Sequence, residues 1–354
     1  MLRNLQSLTL WQRRLVFFLM FGGILMALVA VTWLLARGAL VGGERVQGVP
    51  LSPGIAVREL VALPGDDAYP ATVAAGPDGV IYTGSYKNGA IWSITLDETL
   101  GGTATELPHT REGIGAASGI AVAADGSLLV VDQHDADPRT AGGDVKRVTT
   151  EGVALFAEID DAQGFVAPND IVIDSLGRVY VSDPGRNEIW RFEADGSGGA
   201  VWWVAPDLAP AESGSASARR RGLTGLAYDA TRDAIIVTDP EYNEIFRVSV
   251  AAGGLELLYQ HGTRQRPPGF DGATVAPDGT LYVAALGVNS IARVQDNELE
   301  YLASGFRGAS DVEFVAPNRL IVANFDQTSL APVIVPLFAP QLPFALDVIE
   351  LPAP

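Results

Sequence analysis

Asn169 and Asp271 hold the same place in two copies of a repeated strand, each just ahead of an apolar alternating run. An amide oxygen and a carboxylate are hard-cation donors of the kind that Ca²⁺ gathers in sets of about 6–8. The same residue types also cap turns before strands, so a ligand role and a turn role both remain open for this pair. Of the three histidines, His134 lies in a loop, whereas His109 and His261 fall on outer-strand segments. A lone loop histidine is more commonly solvated than catalytic. There is no Cys, hence no thiol nucleophile, disulfide or Cys-ligated metal. No GxSxG elbow is present, and no Ser-His-Asp triad follows from the spacing.

The elements that must position these residues are six copies of one unit. Each begins with an alternating apolar strand, passes an Asp/Asn-Gly type turn into a second strand, and continues through a loop into a third. The copies open at Ala71 (before VAAGPDGVIYTG), Ser118, Asn169, Thr224, Asp271 and Ser310, at intervals of 47, 51, 55, 47 and 39 residues after the first. A period of about 40–50 residues with several strands per repeat is the signature of a β-propeller. Third strands include AIWSIT from Ala90 and EIWRF from Glu188; fourth strands include AVWWVA from Ala200 and LELLYQ from Leu255. The last copy lacks a fourth strand after ALDVIEL from Ala345, and VRELVAL from Val57 is left over ahead of the first. Donating that segment to the sixth blade closes the ring and removes its open edges. The expected fold is therefore an all-β, six-bladed propeller over residues 55–354 in which an N-terminal strand completes the last blade.

In such a ring the six opening residues surround the mouth of the central channel. Three long connections, 133–144, 205–222 and 325–344, belong to the same face, where loops on a rigid scaffold carry function. Asp170 and Asp311 follow Asn169 and Ser310, and strand alternation turns them aside, as turn or interblade residues.

The blade sequences resemble the calcium-dependent six-bladed propellers: the senescence marker protein 30/gluconolactonase family, the strictosidine-synthase-like proteins and, more distantly, the paraoxonases. The likeness is clearest at Tyr69-Pro70 with VIYTGSYKNGAI, at PNDIVID from Pro168 and at PGFDGATVAPDG from Pro268. The resemblance implies a Ca²⁺ at the mouth held by a Glu, two Asn and an Asp. Asn169 matches one Asn and Asp271 the Asp; Ala71 stands where the Glu belongs and Thr224 where the other Asn belongs. The missing carboxylate should weaken a calcium site, with Asp66 or Asp67 as the acids nearest in sequence to replace it. The resemblance also implies that Asp271 is the general base of lactone hydrolysis. VVDQHDADP, which carries His134, resembles the paraoxonase loop bearing the second His of a pair, with Ser118 in place of the first. PNDIVIDSLGRVYVSDPGRNEIWRF matches the NHL-type propeller repeat nearly as well.

Ahead of the ring, residues 15–36 form an uncharged run of 22, bounded by Arg13-Arg14 and Arg37. At ~1.5 Å per residue this crosses a bilayer core of ~30 Å. Arg3, Arg13 and Arg14 with no offsetting acid place residues 1–14 in the cytoplasm and the propeller on the periplasmic or extracellular side. The apolar run exceeds the roughly 7–15 residues of a cleavable signal's core, which favours a retained anchor with residues 37–54 as tether. Net charge is −18, and beyond residue 36 there are 21 basic against 42 acidic residues, which argues against nucleic-acid binding. The segment 328–344 is almost wholly apolar and is expected to meet lipid, protein or its own blade. Arg219-Arg220-Arg221 is a local basic spot of a kind usually solvated. Two functions follow: a membrane-anchored, Ca²⁺-dependent lactone or ester hydrolase, or a non-catalytic, NHL-like platform for a small molecule or protein partner with a degenerate metal site.

Overall fold

The computed structural model describes residues 9–40, 46–96, 101–137, 140–205, 222–251, 253–262, 266–326, 330 and 340–352. Arg219-Arg220-Arg221 and most of the apolar segment 328–344 lie outside them.

The N-terminal unit contains one helix, Leu10–Leu40. It starts at a capping box: the Thr9 N–H donates to Gln12 Oε1 at 2.9 Å, and the Gln12 N–H returns toward Thr9 Oγ1 at 3.5 Å. Its stretch Leu10–Trp33 has a mean hydropathy of 2.6, and none of it is buried within the protein. Apolar residues on every side suit a lipid surround rather than one-sided packing. By length and composition this helix could cross a membrane.

The second unit is the six-bladed β-propeller. Four blades are plain antiparallel meanders: one from Pro70–Ala75 out to Gly102–Glu106, the next from Ala117–Val122 to Gly152–Ala157, then Ile171–Ile173 to Ala200–Val204, and Leu226–Asp229 to Leu255–Gln260. The fifth runs from Phe270–Val275 to Glu298–Ser304 and gains a short outer strand, Val49–Pro50, in register with Ser304 and Ala303. Those two residues fall in the stretch read from sequence as tether. In the sixth blade Ala309–Val315 and Arg319–Asn324 lead to Ala345–Glu350, and the outermost strand is Ala56–Ala62 from the start of the ring. The closing pair runs from Ala56 opposite Glu350 to Ala62 opposite Ala345, with an Arg58 Nε–Glu350 Oε1 contact of 3.1 Å. Ring closure is thus the strand donation that the leftover segment required.

The recurring turn chemistry explains why each hairpin forms where it does. Gly79 and Gly279 sit at φ +83° and +86°, which glycine adopts without strain, and the Asp before each accepts a bond from the N–H two residues on. The core lies between blades, where alternate strand residues interdigitate: Phe165, Trp190 and Phe192 pack with Leu129 and Val131 of the preceding blade. Stiff β-branched and aromatic residues fill these layers, which fixes the radial position of every inner strand.

Candidate functional site

The six inner strands enclose an axial channel. Its larger cavity, ≈ 240 Å³, is bounded by strand residues such as Val73, Ile120, Ile173 and Thr274, together with Asp170, Asp311 and Glu313. A smaller cavity of ≈ 50 Å³ lies at the mouth, between Ala71, Ser118, Asn169, Asp271 and Ser310, with Tyr86 and Phe325 as aromatic walls. Asp170 and Asp311 border both cavities and so lie at the level where they meet.

Five of the six opening residues thus reach the mouth together, Asn169 and Asp271 among them. Thr224 does not line the cavity: its hydroxyl faces Thr238 Oγ1 at 3.2 Å and the Phe270 carbonyl at 3.4 Å. His134 does not line it either. Its ring stands on the adjoining loop with Nε2 3.5 Å from Asp144 Oδ2, and its backbone N–H is held by Asp132. Asp67 is engaged with Asn88 and Arg111, so it is not free to replace the carboxylate missing at Ala71.

The mouth is built from bonds between blades. Ser310 Oγ donates to the Ala71 carbonyl at 2.7 Å, Ser182 Oγ to the Thr224 carbonyl at 2.6 Å, and Thr238 Oγ1 to the Asp271 backbone carbonyl at 2.7 Å. Asp170 accepts from the Leu226 N–H of the next blade at 2.7 Å, and Asp311 from Val73 at 2.8 Å. These are the interblade roles that alternation suggests, yet both carboxyls also border the channel. Glycine occupies the matching position in three other blades; a Cβ on Gly272 would lie 2.0 Å from Asp311 Oδ1.

The channel therefore gathers four carboxyls, Asp170, Asp271, Asp311 and Glu313, each half-buried and lining at least one of its two cavities. Burial raises all four, Asp170, Asp271 and Glu313 to about 7. Desolvation is the main cause throughout; the Asp170 charge further raises the other three. Backbone N–H groups partly offset the effect at Asp170 and Asp311, and the Thr274 hydroxyl together with the Ala75 N–H does so at Glu313. For Asp271 only burial and the Asp170 charge act, with no offsetting hydrogen bond.

Those donors do not make up the calcium site that the resemblance implies. Ala71 offers no side-chain oxygen, Ser118 and Ser310 offer only neutral hydroxyl oxygens whose protons go to carbonyls, and Thr224 faces elsewhere. Asp170 and Asp311 also border the mouth, but both oxygens of each accept backbone N–H bonds, which leaves Asn169 and Asp271 as the strong donors not so engaged, against the roughly 6–8 oxygens that calcium takes. Among the described residues no group of three or more His, Asp or Glu side chains is arranged to hold a metal ion.

Sequence reasoning missed Tyr86, Phe325 and Glu313. Period-two alternation could have found Glu313, which shares a strand side with Asp311. Tyr86 lies inside the VIYTGSYKNGAI stretch, but nothing local shows that it meets Phe325, whose ring is 5.1 Å away, centroid to centroid.

Several solved structures share this architecture. A gluconolactonase from Xanthomonas campestris aligns over 88% of this chain and 98% of its own at 16% identity, with a TM-score of 0.56. A putative gluconolactonase aligns over 86% and 97% at 14% identity, TM-score 0.58. Virginiamycin B lyase from Staphylococcus aureus aligns over 84% and 99% at 16% identity, TM-score 0.55. At such identities the likeness establishes the fold alone. A search of curated protein sequences returns no match. The family model described as the SMP-30/gluconolactonase/LRE-like region matches residues 78–304, most of the ring, and the chain belongs to that family.

Proposed function

We propose that this protein is a membrane-anchored hydrolase of lactones or related esters, acting at the mouth of the propeller channel on the non-cytoplasmic side. The observation that carries the proposal is the Asp271 carboxyl: half-buried, without an offsetting hydrogen bond, raised to about 7 and facing the mouth cavity beside Asn169. A general base works best when its pKa lies near the operating pH. Asp271 as carboxylate takes a proton from water, and the hydroxide equivalent adds to the acyl carbon. The Asn169 amide is a donor for the oxygen that gains charge in that addition. Collapse breaks the acyl–oxygen bond, and the leaving alkoxide receives the proton from Asp271, leaving acid and alcohol. Members of this family often bind a divalent metal, so calcium is a variable in the test.

The anchor reading rests on the apolar Leu10–Trp33 stretch and on Arg3, Arg13 and Arg14 ahead of the uncharged run 15–36. Retention of the helix, a cytoplasmic N-terminus and an outward-facing ring would together bring the site to substrates outside the cytoplasm.

The test is turnover of a lactone panel by the full-length protein in detergent, with and without calcium, beside Asp271→Asn. Activity with an apparent pKa of about 7, lost by at least about a hundredfold in the variant, is the expected result. Absence of turnover on every lactone and ester, with or without calcium, would turn the reading to a binding platform, which the few free donors at the mouth also suit.

A further inference from the structure

Asn169 presents the mouth with an uncommitted side-chain donor. Its amide makes no hydrogen bond among the described residues, and it lines the same cavity as Asp271. The other neutral side-chain donors at that cavity already give their protons away: Ser118 to the Pro168 carbonyl, Ser310 to the Ala71 carbonyl and Tyr86 to Gln133 Oε1. Ionised carboxyls only accept. A side chain with no bonds of its own takes its position from its backbone, and a shift there carries through to its tip.

The peptide plane that leads into Asn169 is clamped at both ends, from two blades. The Pro168 carbonyl and the Asn169 N–H belong to one planar unit. At one end the Asn169 N–H donates to the Ser182 carbonyl of its own blade at 2.9 Å. At the other, Gln133 Nε2 of the preceding blade donates to the Pro168 carbonyl at 2.7 Å, with the Ser118 hydroxyl farther off at 3.3 Å. A carbonyl can only accept, so Nε2 must face Pro168, and Oε1 is left to accept the Tyr86 hydroxyl of the first blade at 2.7 Å. Burial and the nearby Asp135 charge keep that hydroxyl protonated and donating. The Gln133 backbone is fixed in its turn. Its N–H donates to the Ala116 carbonyl at 3.0 Å, and Asp132 just before it accepts from the Gly115, Ala116 and His134 N–H groups.

We propose that Gln133 is a positioning residue: by clamping the Pro168–Asn169 peptide it aims the Asn169 amide at the oxygen that gains charge during hydrolysis. The oxyanion role rests on the hydrolase reading above, whereas the clamp is independent of it. Gln133 does not line the cavity, so it acts through Asn169. Without its bond the plane is held firmly at one end only, and a donor misplaced by about 1 Å can cost ~10²-fold in rate.

The test is a double-mutant cycle on lactone turnover by the full-length protein in detergent, joined to hydrogen–deuterium exchange of a peptide spanning Asn169. Gln133→Leu should lower kcat about tenfold and leave KM within about twofold, because the displaced donor matters only as charge develops. Asn169→Ala should cost about a hundredfold, and adding Gln133→Leu to it should change kcat by no more than about twofold. Exchange in the Asn169 peptide should quicken at least about fivefold in Gln133→Leu at an unchanged unfolding temperature. Gln133→Met, which keeps the length of the side chain, carries both measurements if the Leu variant unfolds earlier. A tenfold loss in both backgrounds would overturn the proposal, because Gln133 would then act other than through Asn169. So would an unchanged kcat, or exchange no faster than in the parent. If the parent turns over no lactone or ester, the hydrolase reading fails and exchange alone decides: quickened exchange sustains the clamp, and parental exchange removes it.

Discussion

Glu313 lies in the channel beyond the mouth, and its replacement by Gln isolates what a half-buried carboxyl costs this ring. Burial moves the group from 4.5 to about 7, with the Asp170 charge adding to the shift. Between those values the folded chain retains a proton that the unfolded chain has released. The favourable contribution is therefore complete below about pH 4.5, declines as pH rises toward about 7, and stays lost above it. At ~1.4 kcal/mol per pH unit, the penalty for the ionised form approaches about 3 kcal/mol, and water in the channel reduces it toward ~1 kcal/mol. Gln keeps an oxygen for the Thr274 hydroxyl, now 3.2 Å from Glu313 Oε2, and never ionises. Glu313→Gln should therefore match the parent at about pH 5 and exceed it by ~1–3 kcal/mol at about pH 8, some 2–6 °C in unfolding temperature. The assay is thermal unfolding of both proteins in detergent across that range, followed by tryptophan fluorescence. Parallel pH profiles would refute the reasoning, because a carboxyl already ionised in the fold, or one stabilised by a cation, carries no such penalty.

Two further outcomes follow from the same geometry. Asp170→Asn removes the charge that, after burial, most raises Asp271, so the midpoint of the pH–rate profile should fall below its parental value of about 7; an unchanged midpoint would dissociate Asp271 from the rate. Gly115→Ala places a Cβ 1.7 Å from the His134 carbonyl oxygen, a backbone atom with no room to yield, and should cost more than about 2 kcal/mol in chemical unfolding; a change within ~0.5 kcal/mol would show that the loop relaxes.

Most of the fold was legible along the chain because each blade is a local object. Alternating strands, Asp-x-Gly turns and a period near 47 residues can be read without knowing what packs on what. The donated strand was legible by subtraction, since one strand was missing at the end and one was spare at the start, and Ala56–Ala62 does pair with Ala345–Glu350. The fifth strand on blade five escaped notice because Val49–Pro50 is too short to carry a pattern; its place is set by partners in the Glu298–Ser304 strand. The site was legible only in part. Asn169 and Asp271 were named from their repeat position and do meet at the mouth, whereas Thr224, equivalent to them in the repeat, turns its hydroxyl to Thr238 and the Phe270 carbonyl.

The sequence by itself determined the propeller, the ring's closure and the apolar N-terminal helix, because periodicity, turn chemistry and hydropathy act within a few residues of one another. What the mouth holds was decided only by the tertiary structure. Asp170, Asp271, Asp311 and Glu313 come from three separate blades, and burial in a common channel, not any local motif, raises their affinity for protons. Asn169 and Asp271 suggested a calcium site in the sequence. In the folded ring they remain two donors among hydroxyls already bonded to neighbouring blades, beside an aromatic wall assembled from Tyr86 and Phe325, 239 residues apart along the chain.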